Sequence, residues 1–164
     1  MRLGRACITH APPRTVGAPG RMRFKEASDV DYAGHYAGAP VAFDAKSWTD
    51  KASYRLPSPT ENGGKDLARH LRQIEWLRKF AETGQRGNAT AFFLLHCSKL
   101  DVCWVLDLTL LHHLSRNPTK SIPIRTLNRD GTITHHLPHV PEAPTLAIAQ
   151  GQPRWDFLHV AFSA

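Results

Sequence analysis

A chain of 164 residues and 18.3 kDa is long enough to bury roughly two thirds of its unfolded surface, so residues 1–164 are expected to form one domain without help from disulfides. Its 21 Lys and Arg against 14 Asp and Glu give a formal charge of +7 and a pI near 9.7, which favours an anionic partner, nucleic acid first, over acidic or neutral ones. An odd count of cysteines (Cys7, Cys97, Cys103), no apolar stretch near the ~20 residues that cross a bilayer and no apolar-cored leader argue against a secreted disulfide scaffold or a membrane protein; a reducing, cytoplasmic setting is expected.

The chain opens with Arg2, Arg5, Arg14, Arg21, Arg23 and Lys25, all ahead of the first acid, Glu26, in a stretch broken by Pro12, Pro13, Gly17, Pro19 and Gly20. Residues 1–25 therefore read as a basic arm or short stalk. Arg14, Arg21, Arg23 and Lys25 are its expected contacts to a phosphate backbone, and the prolines and glycines would spoil an amphipathic targeting helix.

Met22 to Ala27 and Pro40 to Ser47 read as strands, with a glycine turn over Tyr32-Ala33-Gly34-His35-Tyr36-Ala37-Gly38 between them. Asp31 stands before that turn, and Asp44-Ala45-Lys46 closes the second strand. In an extended chain Asp44 and Lys46 point to one face, and Ala45 leaves its carbonyl near them. Asp31, Asp44 and the Ala45 carbonyl form an oxygen ligand set suited to Mg²⁺ or Mn²⁺, which keeps some of its waters. A lysine beside it can orient a water and offset the charge that builds during phosphodiester hydrolysis. An acid-x-Lys triplet arises roughly once by chance in a chain with this many acids and lysines, so its neighbours must carry the reading.

Residues 48–64 hold Trp48, Lys51, Tyr54, Arg55, Pro57, Pro59, Asn62, Gly63 and Gly64, and read as a loop in which Lys51 and Arg55 suit DNA backbone contact. From Lys65 to Thr83 the apolar residues Leu67, Leu71, Ile74, Leu77 and Ala81 recur at helical spacing, and Gly84 is the expected stop. Arg69, Arg72, Arg78 and Lys79 on its other faces add to the basic surface, and Gln73 lies beside the apolar stripe. Ala91–Leu95 and Val102–Leu106 read as central strands buried on both faces. A short helix follows, with Leu108, Leu111 and Leu114 inward and Asn117-Pro118 as its end; Ser121–Ile124 and Trp155–Phe162 are strand-like. His112, His113, His135, His136 and His139 lack the paired cysteines of a structural zinc site and read as surface or loop residues. Helices interspersed with buried strands give an α/β fold.

Asp31-Tyr32-Ala33-Gly34-His35-Tyr36-Ala37-Gly38 followed by Val41-Ala42-Phe43-Asp44-Ala45-Lys46 resembles the active-site hairpin of RecU-type Holliday junction resolvases. In the same order Lys51-Ala52-Ser53-Tyr54-Arg55-Leu56, Gln73-Ile74-Glu75 and Pro153-Arg154-Trp155-Asp156-Phe157 are similar to later segments of that family. The resemblance implies a restriction-endonuclease-like PD-(D/E)XK core, a central mixed sheet flanked by helices, in a homodimer that makes paired nicks in a four-way DNA junction and leaves 5′-phosphates. It gives Asp31 and Asp44 the metal, Lys46 the water and Gln73 a supporting role. This chain has Asp44 where cellular members usually have Glu, Val30 where they often have a hydroxyl residue, and Asp29 as a rival to Asp31. The acidic opening helix of cellular members has no counterpart here, which leaves one or two metals open, and Arg14 to Lys25 stands where the family has its stalk. A bacterial cell and a phage-infected host both suit so compact a chain, and a noncatalytic DNA-binding accessory protein or a nuclease of the same fold with another DNA substrate are the alternatives.

Overall fold

The computed structural model describes residues 7–10, 14–16, 23–26, 30–48, 52–83, 89–97, 102–140 and 160–162. Its central sheet has six strands in the order β1 (Cys7–His10), β4 (Tyr32–Tyr36), β5 (Ala39–Trp48), β7 (Thr90–Cys97), β8 (Val102–Asp107) and β12 (His139–Val140). The pairing of β5 with β7 is parallel and the other four are antiparallel. A parallel neighbour requires a crossover, and helix α1 (Lys65–Thr83) supplies it. Two further ribbons pair β2 (Arg14–Val16) with β3 (Arg23–Glu26) and β10 (Arg125–Leu127) with β11 (Ile133–His135); a third joins β6 (Ser53–Arg55) to β9 (Ser121–Pro123).

Strand alternation sorts the core into two layers. On one face Ala42, Phe93, Leu95, Trp104 and Leu106 meet Leu67, Ile74 and Leu77 of α1 and Leu111 and Leu114 of helix α2 (Leu108–Arg116). On the other, Val41, Phe43, Phe92, Cys103 and Val105 pack with Tyr32 and Tyr36 and with residues 160–162, which are helical. This mixed sheet flanked by helices is an α/β, restriction-endonuclease-like core. Cys97 and Cys103 are buried within it, and no described helix is long and apolar enough to cross a membrane.

The sequence reading needs correction around the hairpin. The turn is only Ala37 and Gly38, and Tyr32–Tyr36 is a strand whose Tyr32 stacks on Phe43 across the ladder, with ring centroids 4.9 Å apart. The two glycines within 32–38 had suggested a longer turn, yet Gly34 sits in the ladder opposite Val41. The expected strand at 22–27 exists as β3, but its partner is β2 rather than β5, so the basic opening includes a small ribbon. Both turn residues have positive φ, 50° at Ala37 and 86° at Gly38, as two-residue hairpins with right-handed twist prefer. Ala pays for that conformation and Asn pays less, so Ala37→Asn is expected to stabilise the protein by about 0.5–1 kcal/mol in denaturant titration.

Residues 48–64 are not all loop either. Tyr54 and Leu56 alternate with exposed Arg55 and are buried, which makes 53–55 a strand that the surrounding prolines and charges masked. Helix α1 begins and ends where the apolar spacing placed it. Helix α2 is capped by Asp107, whose carboxylate accepts from the Leu110 amide at 2.9 Å. Asp107→Ala is expected to cost about 1 kcal/mol of stability, read as a lower thermal midpoint. Of the strand-like stretch expected at 155–162, residues 155–159 lie outside the described residues and 160–162 are helical instead.

Candidate active site

Strand β5 carries Asp44 and Lys46 on the face covered by α1, while Ala45 is exposed toward the other side. The antiparallel register pairs Tyr32 with Phe43, which sets Asp31, immediately before β4, beside Asp44. The Ala45 amide donates to Asp31 Oδ2 at 3.1 Å, pinning that carboxylate against the strand. The two acids and the amine proposed from sequence therefore share one place, built by one hairpin.

Asp44 is fully buried. Lys46 Nζ lies 3.1 Å from its Oδ2, yet neither Asp44 oxygen has a hydrogen bond of good geometry among the described residues. Burial, reinforced by the neighbouring Asp31 carboxyl, pushes its pKa up to about 7 against the opposing pull of Lys46. A buried carboxylate whose charge is met by one ammonium and by no well-aligned hydrogen bond is costly unless something else also claims its oxygens. Two carboxylates and a nearby carbonyl suit a hard divalent ion that retains waters, so Asp31, Asp44 and Ala45 fit Mg²⁺ or Mn²⁺. No three His, Cys, Asp or Glu side chains gather as a metal cluster among the described residues.

Lys46 also donates to Gln73 Oε1 at 2.9 Å, so α1 reaches down to hold the ammonium from above. Gln73 is itself 8% exposed, in keeping with a role inside the site. Two further polar groups border it that the sequence reading did not assign. His70, one turn before Gln73, is buried and its Nδ1 lies 2.8 Å from the Asp66 carbonyl, which can only accept; Nδ1 therefore carries the proton. Burial holds its pKa below the ordinary value, with the charge of Lys46 acting the same way. Tyr54, reaching in from β6, has its pKa raised by burial and by the charge of Asp44, and stays protonated. The signal for His70 was its place three residues before Gln73 on the stripe that holds Leu67 and Ile74.

The expected DNA contacts fare unevenly. Arg14, Arg23 and Lys25 fall on the β2–β3 ribbon, whereas Arg21, Lys51 and the rival acid Asp29 lie outside the described residues. Arg55 is exposed, 3.6 Å from Glu61. On α1 the basic face is largely self-neutralised: Arg69 pairs with Asp66, Arg78 with Glu75 and Glu82, and Lys79 with Glu75. Arg72 is exposed and has no ion-pair partner among the described residues, so it remains the strongest α1 candidate.

Comparison with known proteins bears on this site. The chain is 31% identical over 134 residues to a protein of Lactococcus lactis subsp. cremoris strain MG1363 named Holliday junction resolvase RecU, covering 79% of this chain and 56% of that one. It is 29% identical over 154 residues to a protein of the same name from Geobacillus sp. strain WCH70, covering 91% and 63%. The chain thus spans somewhat over half the length of these curated relatives. Residues 15–142, which include the whole hairpin, α1 and every strand of the central sheet except β1, match the family described as RecU, Recombination protein U, and the chain belongs to that family.

Proposed function

We propose that this chain is a single-domain, Mg²⁺-dependent endonuclease that resolves four-way DNA junctions in the cytoplasm, as a homodimer making paired symmetric nicks. The observation that carries the reading is Asp44: buried, ion-paired with Lys46 but without a well-aligned hydrogen bond at either oxygen among the described residues, and placed between Asp31 and Lys46. A Mg²⁺ or Mn²⁺ held by Asp31, Asp44 and the Ala45 carbonyl would supply Lewis-acid activation of the scissile phosphodiester and of water.

The chain's own residues do the rest. Lys46 directs its ammonium at the attacking water and at the charge that develops on the phosphoryl oxygens. Gln73 fixes that ammonium, and Asp31 is held in place by the Ala45 amide. Hydrolysis leaves a 5′-phosphate and a 3′-hydroxyl. The β2–β3 ribbon with Arg14, Arg23 and Lys25, together with Arg21, Lys51, Arg55 and Arg72, supplies the cationic surface along the DNA arms. Two opposed strands must be cut, so two sites related by a twofold axis face one junction.

Competition tests the substrate: a labelled four-way junction is offered with excess linear duplex of the same sequence at fixed salt, under Mg²⁺ and under Mn²⁺. The junction is expected to be bound and nicked in preference. Linear duplex competing equally would make this a nuclease of the same fold with another substrate, and tight junction binding without nicks under either metal would make it an accessory protein. A monomer by light scattering at micromolar concentration would contradict the paired-site arrangement.

A further inference from the structure

Lys46 has a third neighbour besides Asp44 and Gln73. Phe93, wholly buried on β7, stands in register with Asp44 across the parallel ladder, and the Lys46 ammonium lies over its ring, 5.2 Å from the centroid. The lysine side chain is only 13% exposed. An ammonium so enclosed has lost most of its water, and the negative face of an aromatic ring is one of the few apolar surfaces that attracts it. His70 meets the same ring edge-on, with centroids 6.4 Å apart and planes at 72°, and so limits its tilt.

We infer that Phe93 is a positioning residue for Lys46, an aromatic floor that holds the ammonium over the site by cation–π attraction without taking one of its protons. This rests on the nuclease reading of the same site. A lysine has three N–H donors. Gln73 accepts one and Asp44 faces a second. A further carboxylate or carbonyl beneath the amine would take the third and compete with substrate for it. A ring face attracts the whole cation and has no lone pair to bond, which leaves that donor for water or a phosphoryl oxygen. Should Asp44 turn to another cation, Gln73 and Phe93 still hold the amine. The neighbouring Phe92 is a built-in contrast: it points to the opposite face and stacks on Phe43 at 5.1 Å, away from Lys46.

The test places 4-fluoro-, 3,5-difluoro- and 3,4,5-trifluorophenylalanine at position 93 in the full chain, which drains the ring face of negative charge while nearly keeping its volume. Junction cleavage is expected to slow stepwise, to roughly tenfold at the trifluoro ring, with KM and thermal midpoint unchanged. The same series at position 92 is expected to leave the rate alone. Independently of cleavage, the Lys46 ε-methylene protons in the metal-free protein should resonate upfield of ordinary lysines through the ring current, and lose that shift in Phe93→Leu. A flat series at 93, an equal slowing at 92, or an unshifted Lys46 would each overturn the inference. If the wild-type protein cuts no DNA but the Lys46 shift is present and vanishes in Phe93→Leu, the positioning stands and the nuclease reading falls.

Discussion

Asp44→Asn and Lys46→Ala are each expected to lower junction cleavage by about 10³-fold while leaving junction affinity within a few fold. The two losses have different origins. Asparagine keeps the shape of Asp44 but gives up the negative charge, and Asp31 alone is left to hold a divalent ion. Alanine at 46 leaves the two carboxylates in place but removes the only ammonium that lies within 3.1 Å of Asp44 among the described residues. On the proposed reading binding should survive both changes, because affinity for DNA would come from basic residues outside the site, such as the exposed Arg55 and Arg72. Gln73→Ala falls between these and the wild type, with a 10–100-fold loss of the order seen for residues that orient a metal-site group, since Lys46 keeps Asp44 and Phe93. Single-turnover cleavage of a labelled junction, paired with a binding titration in Ca²⁺, measures both quantities.

The second large effect concerns the metal-free protein, whose stability is expected to fall as pH rises from about 4 to about 7. Asp44 titrates near 3.8 when unfolded and about 7 when folded. Between those values the folded state binds the proton more tightly than the unfolded state, so raising the pH penalises the folded state until both are ionised. The cost is on the order of 3–4 kcal/mol, about three pKa units at about 1.4 kcal/mol each. Asp44→Asn carries no such charge. Its thermal midpoint should match the wild type near pH 4 and exceed it at pH 8 by several degrees, on the order of 6–10 °C for a domain of this size. At pH 8, Mg²⁺ or Mn²⁺ at a hundred times its dissociation constant should return about 2.7 kcal/mol to the wild type and nothing to the variant. On the nuclease reading the fold would give up stability here for a charge that the chemistry needs. Differential scanning calorimetry across pH, with and without metal, reads the whole pattern.

Much of this was legible in the residues themselves. Helix α1 could be read from its stripe of leucines, and β7 and β8 from their unbroken apolar runs, because burial on one or both faces writes itself directly into the pattern. Asp44 and Lys46 could be assigned to one face by strand alternation alone. The limits of the hairpin could not, since Gly34 signals a turn in sequence but fills a ladder position opposite Val41, where the tyrosine and phenylalanine beside it stack across the pair. Strand β6 was hidden because Tyr54 and Leu56 are two buried residues among prolines and charges, too few to show a period. Phe93 was invisible as a site residue for a different reason. Nothing in a single chain distinguishes a core phenylalanine from one that lies beneath a site lysine; that depends on β5 and β7 pairing in the register that sets Phe93 opposite Asp44. The basic faces misled in the opposite sense, because Glu75, Glu82 and Asp66 sit one helical turn from the arginines and lysine they neutralise.

The most direct measurement of the central claim is a cleavage assay with the purified, folded wild-type chain on a four-way junction labelled on each strand in turn, run in parallel with Asp44→Asn. In Mg²⁺ or Mn²⁺ the wild type should produce symmetric nicks in two opposed strands that ligate back together, as 5′-phosphate and 3′-hydroxyl ends do, and the variant should produce none. Wild-type protein that leaves every strand intact under both metals, or an Asp44→Asn variant that cuts as fast as the wild type, would contradict it.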